Sequence, residues 1–517
     1  MPFTHALTGS NPVRVTIFQT KSVRTSFFTY NTFSENLTLI FSLICVNPFI
    51  DDIIYIIYEG CFIMHNKRST FSGKLGFVLS AAGASVGLGN IWRFPYLAAK
   101  YGGGIFLLIY IVLALTFGYT MIIAETTLGR MTKKSPVGAF HTFAKTKFAS
   151  FSGWINAIIP ILIVPYYSVI GGWVIKYLFE YLKGDAKLLA TDTYFSNFIS
   201  NGVSTEICFI LFTFFTLAII YAGVQNGIER VSRFMMPVLV VLSVIIAGYS
   251  ISRPGAIEGV KYFLIPNFDN FSWMTVVSAM GQMFYSLSIA MGILITFGSY
   301  MKKDVSIEGS TENVEIFDTA IAIMAGLMII PAVFSFSGGD METLKAGPSL
   351  MFITIPKVFA SMGLGTGIGI IFFLLVLFAA ITSSIALTES AVSTFQDELH
   401  WSRKKSTIIL GIIMIGLGTL SCLGYGPLSN VTIIGMQFLD FFDFLTNSVM
   451  MPIAAIAICI FVSRVVGLEK IEAEITQDGN SFKRKKIFNF MIQYLCPIFA
   501  FIILLSSIAN AFGFISM

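Results

Sequence analysis

The sequence predicts an all-α polytopic membrane protein with 11 transmembrane helices. Of its 517 residues, 55% are hydrophobic and only 12% are charged, about half the charged share of an ordinary soluble domain. The mean hydropathy is +0.80, and apolar stretches of the length that crosses a bilayer recur along the chain. This composition excludes a soluble enzyme and a disordered chain.

Several other classes of protein are disfavoured. The net charge is only +5, and the cations lie in loops, so nucleic-acid binding is not expected. The six cysteines form no CxxC pair and predict neither a disulfide framework nor a metal site. There is no P-loop or HExxH motif, and no GxSxG motif in the strand-to-helix setting that catalysis needs. No organic cofactor is expected.

The 11 spans are numbered here in chain order. They are predicted near residues 75–98, 102–128, 154–183, 205–222, 230–252, 273–301, 314–337, 366–398, 405–424, 430–463 and 487–513. If the segment before span 1 is cytoplasmic, the inside loops hold 21 Lys and Arg residues and the outside loops hold eight. The positive-inside rule therefore predicts a cytoplasmic amino terminus and, with an odd number of spans, an external carboxyl terminus.

The first 63 residues differ in composition from the rest of the chain. They contain only two glycines, Gly9 and Gly60, and lack the small residues that pack membrane helices. Met64 begins a basic, hydrophilic segment, MHNKRSTFSGKLGF. We expect translation to start at Met64 and residues 1–63 to be a non-native or disordered extension, the alternative being a genuine leader. The membrane domain would cover residues 64–513.

Spans 1 and 6 are not expected to be continuous helices. Span 1 carries Gly83, Gly87 and Gly89 at mid-membrane depth, followed within one turn by Asn90 and Arg93. Polar groups at that depth are costly unless they serve a cavity. A second interruption, at the middle of span 6, is indicated by two serines between two glycines: Gly281, Ser286, Ser288 and Gly292. Paired breaks predict a 5+5 inverted repeat (spans 1–5 and 6–10, with span 11 outside it) and a binding site between the breaks.

Three segments resemble the neurotransmitter:sodium symporter family. SGKLGFVLSAAGASVGLGNIWRFPYLAAKYGGGIFLLIY (72–110) is similar to its signature around helix 1. GQMFYSLSIAMG (281–292) and FAAITSSIALTES (378–390) resemble its helices 6 and 8. The resemblance covers about residues 66–513. It implies the fold of the bacterial leucine transporter, a place in the bacterial inner membrane, and sodium-coupled uptake of a neutral amino acid by alternating access.

The resemblance implies two sodium sites. The first comprises Ser85, Asn90, Ser286 and Asp318, and the second comprises Gly83, Val86, Ala379, Thr382 and Ser383. Neutral and carboxylate oxygens are the ligands that hard cations prefer. Asp318 stands where the leucine transporter has Asn, and Ala322 stands where that protein has a carboxylate one turn later. A negative charge supplied by Asp318 predicts transport that is independent of chloride. The alternative role for Asp318 is a helix cap.

The substrate site implied by the resemblance surrounds an amino acid zwitterion. Its members are Ser85, Leu88, Gly89, Ile163, Tyr167, Tyr285, Ser286, Ser288, Ala290, Met291, Ser383 and Leu387. The largely apolar lining favours a small or medium apolar side chain, with tyrosine and tryptophan left open. Ala290 replaces the glycine common in bacterial relatives, so we expect it to narrow the pocket.

Two ion pairs resemble the family's gates. Arg93 and Asp443 correspond to the extracellular gate, and Arg68 and Asp397, supported by Tyr300, correspond to the cytoplasmic gate. Two rival hypotheses remain: a proton-coupled transporter of the same fold with Asp318 or Glu389 as carrier, and a non-transporting amino acid sensor. The sequence does not predict the oligomeric state.

Overall fold

The computed structural model describes residues 69–339 and 348–514 of the protein. Within these residues, nine continuous helices are long and apolar enough to cross a membrane. They are span 2 (Gly104–Thr132), span 3 (Lys147–Lys183), span 4 (Gly202–Tyr221), span 5 (Val224–Ile251), span 7 (Ile307–Ser337), span 8 (Gly365–Glu398), span 9 (Arg403–Leu423), span 10 (Phe438–Val466) and span 11 (Lys485–Ala511). The prediction for residues 1–63 lies outside the described residues and stays a prediction.

Spans 1 and 6 are broken, as the sequence predicts. Span 1 consists of half-helix 1a (Lys74–Ser85) and half-helix 1b (Gly89–Lys100), which are bent by 55°. Span 6 consists of half-helix 6a (Trp273–Ser286) and half-helix 6b (Ile293–Tyr300). The nine continuous and two broken helices follow the order of the 11 predicted spans. The predicted fold class, an all-α polytopic membrane protein, is confirmed.

Some predicted boundaries are wrong by a turn or two. Span 10 begins at Phe438 rather than 430, because the preceding residues turn through a left-handed backbone at Ile434 (φ 53°) and Gly435 (φ 77°). Span 7 begins at Ile307, seven residues before the predicted start, because the side chain of Ser306 accepts a hydrogen bond from the Gly309 amide and caps the helix.

The packing of the broken spans follows the expected repeat. Both halves of span 1 pack against span 7, and both halves of span 6 pack against span 2. Each broken span thus contacts the helix that follows the other. Half-helix 6b approaches span 2 through Gly129 and Gly298, where an added Cβ would lie 1.9 Å from the Ile295 carbonyl oxygen and 2.3 Å from that of Thr126, respectively. Small residues here let two backbones touch.

Candidate functional site

The two helix breaks lie side by side and bond to each other. The Ser288 hydroxyl of span 6 donates to the Ala84 carbonyl oxygen of span 1 at 3.0 Å. The Gln282 side chain donates to the Gly89 carbonyl oxygen at 3.1 Å. Backbone groups freed by one break therefore find partners on the other span, which lets irregular backbone persist at membrane depth.

The break in span 6 holds an unusual backbone. Ser288, Ala290 and Gly292 have φ values of 53°, 59° and 70°. Left-handed backbone costs roughly 1–2 kcal/mol for a residue with a Cβ. The Ala290 amide is held by Glu125 of span 2, whose Oε1 accepts its hydrogen bond at 2.7 Å. A fully buried carboxylate thus helps to stabilise the strained turn.

A cluster of oxygen atoms surrounds Asp318 of span 7, which is fully buried. The Asn90 side-chain amide donates to Asp318 Oδ1 and to Ser286 Oγ, both at 2.8 Å. The Ser286 hydroxyl donates to Asp318 Oδ2 at 2.9 Å. The side chains of Asn90, Ser286 and Asp318, predicted for the first sodium site, are therefore in contact. The fourth member, Ser85, lies next to the break, with its hydroxyl 3.5 Å from the Leu287 carbonyl oxygen.

Tyr110 of span 2 belongs to this cluster, although the sequence analysis missed it. Its hydroxyl donates to Asp318 Oδ2 at 3.3 Å and to Ser286 Oγ at 3.2 Å. A buried tyrosine hydroxyl needs a polar partner. Its place within an apolar span was the available signal in the sequence, but only the fold identifies the partner.

A second oxygen cluster joins spans 1 and 8. The Ser383 hydroxyl lies 3.4 Å from the carbonyl oxygens of both Gly83 and Val86. The Thr382 hydroxyl donates to the Ala379 carbonyl oxygen at 3.1 Å. The Ser383 hydroxyl thus joins span 8 to the Gly83 and Val86 carbonyl oxygens of span 1, whereas the contact between Thr382 and Ala379 lies within span 8. The set contains only neutral oxygens.

A cavity lies between the two clusters. Eleven of the 12 predicted substrate residues line it, together with Ala84, Gly87, Asn90 and Ile293. The Leu88 amide donates to the Tyr167 hydroxyl at 3.5 Å at its edge. Gly87 faces Ser383 Oγ and the Tyr167 hydroxyl so closely that a Cβ there would lie 2.7 Å from the former.

Ala290 is the one predicted substrate residue that does not line the cavity. It is fully buried, and its amide points to Glu125. The expectation that its methyl group narrows the substrate pocket stays a prediction. Helical spacing does not predict the direction in which a side chain points when the segment is unwound.

The residues predicted for the extracellular gate lie close to Tyr285. The Arg93 guanidinium carbon lies 5.2 Å from the centre of the Tyr285 ring. Asp443 accepts hydrogen bonds from the Asn447 amide at 2.6 Å and the Tyr166 hydroxyl at 3.3 Å. Among the ion pairs of the described residues, none within 4.0 Å joins Arg93 to Asp443, so the predicted pair is not in contact here.

Of the residues predicted for the cytoplasmic gate, Arg68 lies outside the described residues. Asp397 Oδ2 accepts a hydrogen bond from the Ser135 amide at 2.6 Å. The Tyr300 hydroxyl donates to Glu389 Oε1 at 2.7 Å. Glu389 is fully buried and pairs with Arg403 through contacts of 2.5 and 3.0 Å. Arg403 could not be identified from the sequence, because no local pattern indicates that it pairs with a residue of span 8.

Two broken helices that enclose an oxygen-rich cavity are typical of a secondary transporter. The comparison with known families agrees. The chain belongs to the Sodium:neurotransmitter symporter family, whose model matches residues 68–191 and 187–514. Its resemblance to that family is confirmed, and the chain is a sodium-dependent membrane transporter rather than an enzyme.

Individual relatives support this assignment. An uncharacterized sodium-dependent transporter of Bacillus subtilis, YhdH, is 34% identical over 446 residues, covering 86% of this chain and 98% of the relative. One from Haemophilus influenzae is 31% identical, covering 86% and 99%. The crystal structure of MhsT in complex with L-phenylalanine matches with a TM-score of 0.77 and 36% identity, covering 85% of this chain and all of MhsT.

Proposed function

We propose that this protein imports a neutral amino acid together with sodium by alternating access. The observation that carries the proposal is the contact of Asn90, Ser286 and Asp318 beside two broken helices. Side chains from spans 1 and 6 converge there on the buried carboxylate of span 7. A carboxylate buried in apolar surroundings is costly unless it is bonded or paired with a cation.

Sodium is proposed to be a co-substrate that binds at two sites. The first uses Ser85, Asn90, Ser286 and Asp318, with Tyr110 donating to the carboxylate. The second uses Gly83, Val86, Ala379, Thr382 and Ser383. Both sets offer oxygen ligands, as a hard cation requires. The second set carries no formal charge, which favours weak and reversible binding.

The amino acid would lie between the breaks. The amides of Leu88 and Gly89 and the Tyr167 hydroxyl are proposed to bind its carboxylate. Carbonyl oxygens at Ser85, Tyr285 and Ser286 would accept from its ammonium group, with the Ser288 hydroxyl beside them. If the carboxylate also contacts the first sodium ion, each ligand increases the affinity for the other, which couples the two fluxes.

The side-chain pocket favours an apolar substrate. Ile163, Met291 and Leu387 line the cavity with the Tyr167 and Tyr285 rings, and none of the described residues that line it has a charged side chain. This lining offers no partner to a cationic or anionic side chain. The related MhsT was crystallised with L-phenylalanine, so L-phenylalanine is the first ligand to test beside smaller apolar amino acids.

Transport is proposed to be independent of chloride. Asp318 would supply the negative charge beside sodium, and Ala322, one turn further along span 7, is buried without a polar side chain. Replacing chloride with gluconate should therefore leave uptake unchanged. Strong loss of uptake in gluconate would contradict this part of the proposal.

The gates and the orientation complete the proposal. Arg93 and Asp443 would close the external path through contact in another conformation, with Arg68, Asp397 and Tyr300 at the cytoplasmic end. We propose a bacterial inner-membrane location, a cytoplasmic amino terminus and an external carboxyl terminus, on the distribution of Lys and Arg between loops.

The rival hypothesis, proton coupling, is supported by one observation: the carboxylate of Asp318 is buried. Glu389 is a poor carrier because Arg403 pairs with it at 2.5 Å. Uptake driven by a pH gradient in the absence of sodium would favour this rival. Sodium-dependent binding without uptake would instead favour the sensor hypothesis.

The decisive experiment uses the purified full-length protein in proteoliposomes. Uptake of labelled L-phenylalanine and of a smaller apolar amino acid is measured under an inward sodium gradient, with choline as the matched cation control. We expect accumulation with sodium and none with choline. Asp318→Asn should abolish most sodium-driven uptake, whereas Asp269→Asn, an exposed loop carboxylate of the same type, should not change it.

A further inference from the structure

The loop between spans 10 and 11 docks on the cytoplasmic half of span 7 through Arg484. Its guanidinium Nη1 lies 3.2 Å from Glu315 Oε2, and its Nε lies 3.7 Å from Glu312 Oε1. The guanidinium carbon also lies 4.6 Å from the ring centre of Tyr119 in span 2. Glu315 is 1% exposed. Arg484 therefore compensates a carboxylate that would otherwise be buried without a cation.

The backbone of the same loop is held by Glu308, near the start of span 7. Glu308 Oε2 accepts from the Lys483 amide at 2.9 Å, and Oε1 accepts from the Arg484 amide at 3.0 Å. The Tyr119 hydroxyl donates to Oε1 at 2.8 Å. These bonds fix the backbone of Arg484 as well as its side chain, so its position relative to span 7 is well defined.

The contact between Arg484 and Glu315 lies about one helical turn from the proposed first sodium site. Glu315 and Asp318 are three residues apart on span 7, a rise of about 4.5 Å on the same side of the helix. Span 2 contacts span 7 at two places: Tyr110 donates to Asp318, and Tyr119 donates to Glu308. A rotation of span 7 that displaced Glu315 would displace Asp318 as well.

We propose that Arg484 is a positioning residue for the first sodium site, acting through Glu315 to hold span 7 in the rotation that presents Asp318 to the ion. This inference rests on the proposed function. Arg484 itself touches neither ion nor substrate. Its planar fork and fixed charge suit a buried carboxylate better than a lysine would.

The test measures the sodium concentration for half-maximal uptake and the maximal rate separately. Arg484→Gln should raise the half-maximal sodium concentration about tenfold, the usual effect of removing a residue that orients a metal ligand, with a smaller change in maximal rate. Arg484→Lys should recover part of the loss. The double variant of Glu315→Gln and Arg484→Gln should lose no more sodium affinity than the more impaired of the two single variants, because both changes remove the same interaction.

The matched control is the neighbouring pair of Lys485, the first residue of span 11, and Glu472, which lies between spans 10 and 11. It is joined at 2.5 Å, but both side chains are partly exposed. Lys485→Gln should leave the sodium dependence unchanged. If the Arg484→Gln variant does not fold, the same two quantities are measured in Glu315→Gln and Arg484→Lys.

Wild-type sodium affinity in Arg484→Gln and Glu315→Gln would overturn the inference, as would strictly additive losses in the double variant. Failure of the wild-type protein to respond to sodium would instead overturn the proposed function.

Discussion

The Tyr110 hydroxyl donates a hydrogen bond to Asp318 Oδ2 at 3.3 Å, joining spans 2 and 7 at a fully buried carboxylate. Two other donors, on Asn90 and Ser286, face the same carboxylate. Together these three donors provide hydrogen-bond partners for a carboxylate that would be costly to bury without them. A negative charge here would complement the sodium ion that we propose for this site.

Tyr110→Phe should therefore weaken sodium binding. It removes a hydrogen bond to a charged group, worth about 1.5–3 kcal/mol, which corresponds to a loss of sodium affinity of roughly tenfold or more. Sodium titration of L-phenylalanine binding measures the effect. Tyr177→Phe is the control, since the Tyr177 hydroxyl is also buried but donates to the Phe352 carbonyl oxygen, away from the cavity. Equal losses in both variants would contradict the assignment.

Ser383→Ala and Ser384→Ala provide a matched pair on span 8. The Ser383 hydroxyl faces the Gly83 and Val86 carbonyl oxygens, whereas the Ser384 hydroxyl contacts Thr216 Oγ1 at 3.2 Å. Ser383→Ala should reduce sodium-stimulated uptake several-fold, because one ligand of the second site is lost, and Ser384→Ala should reduce it little. The reverse order would refute the proposed second site.

Ala290→Gly should stabilise the protein without changing its substrate preference. Glycine adopts φ near +59° without the steric cost of a Cβ, and Ala290 does not line the cavity. We expect a higher thermal midpoint, from about 1 kcal/mol of relieved strain. Competition by phenylalanine, tyrosine and tryptophan should be unchanged. Stronger competition by the bulky amino acids would show that the methyl group does limit the pocket.

Glu389→Gln should destabilise the fold. Removing one partner of a buried ion pair leaves the other charge uncompensated, at a cost on the order of 3 kcal/mol, although the Arg403 side chain is 15% exposed. Unfolding in detergent measures the loss. Glu258→Gln, which breaks an exposed pair with Lys261, should change stability by less than about 1 kcal/mol. Sodium-driven uptake by the surviving folded Glu389→Gln protein would count against Glu389 as a proton carrier.

The spans and the main site residues could be predicted from the sequence because their causes are local. Apolar runs of bilayer length define the spans, and glycines with polar neighbours mark the two breaks. Asn90 and Ser286 stood out as polar groups at membrane depth, and the resemblance to a known family added Asp318 and implied that the three meet. The structure brings all three into contact.

The tertiary structure alone decided which distant side chains pair and how the unwound segment is turned. Tyr110 is 208 residues from Asp318, and Arg484 is 169 residues from Glu315, so no periodicity relates them. Ala290 has a left-handed backbone and does not line the cavity, and neither property could be predicted from its residue type. The apolar pattern and the length of an apolar run are properties of a single helix, so the sequence determines them. Hydrogen bonds and ion pairs between helices depend on how the helices pack.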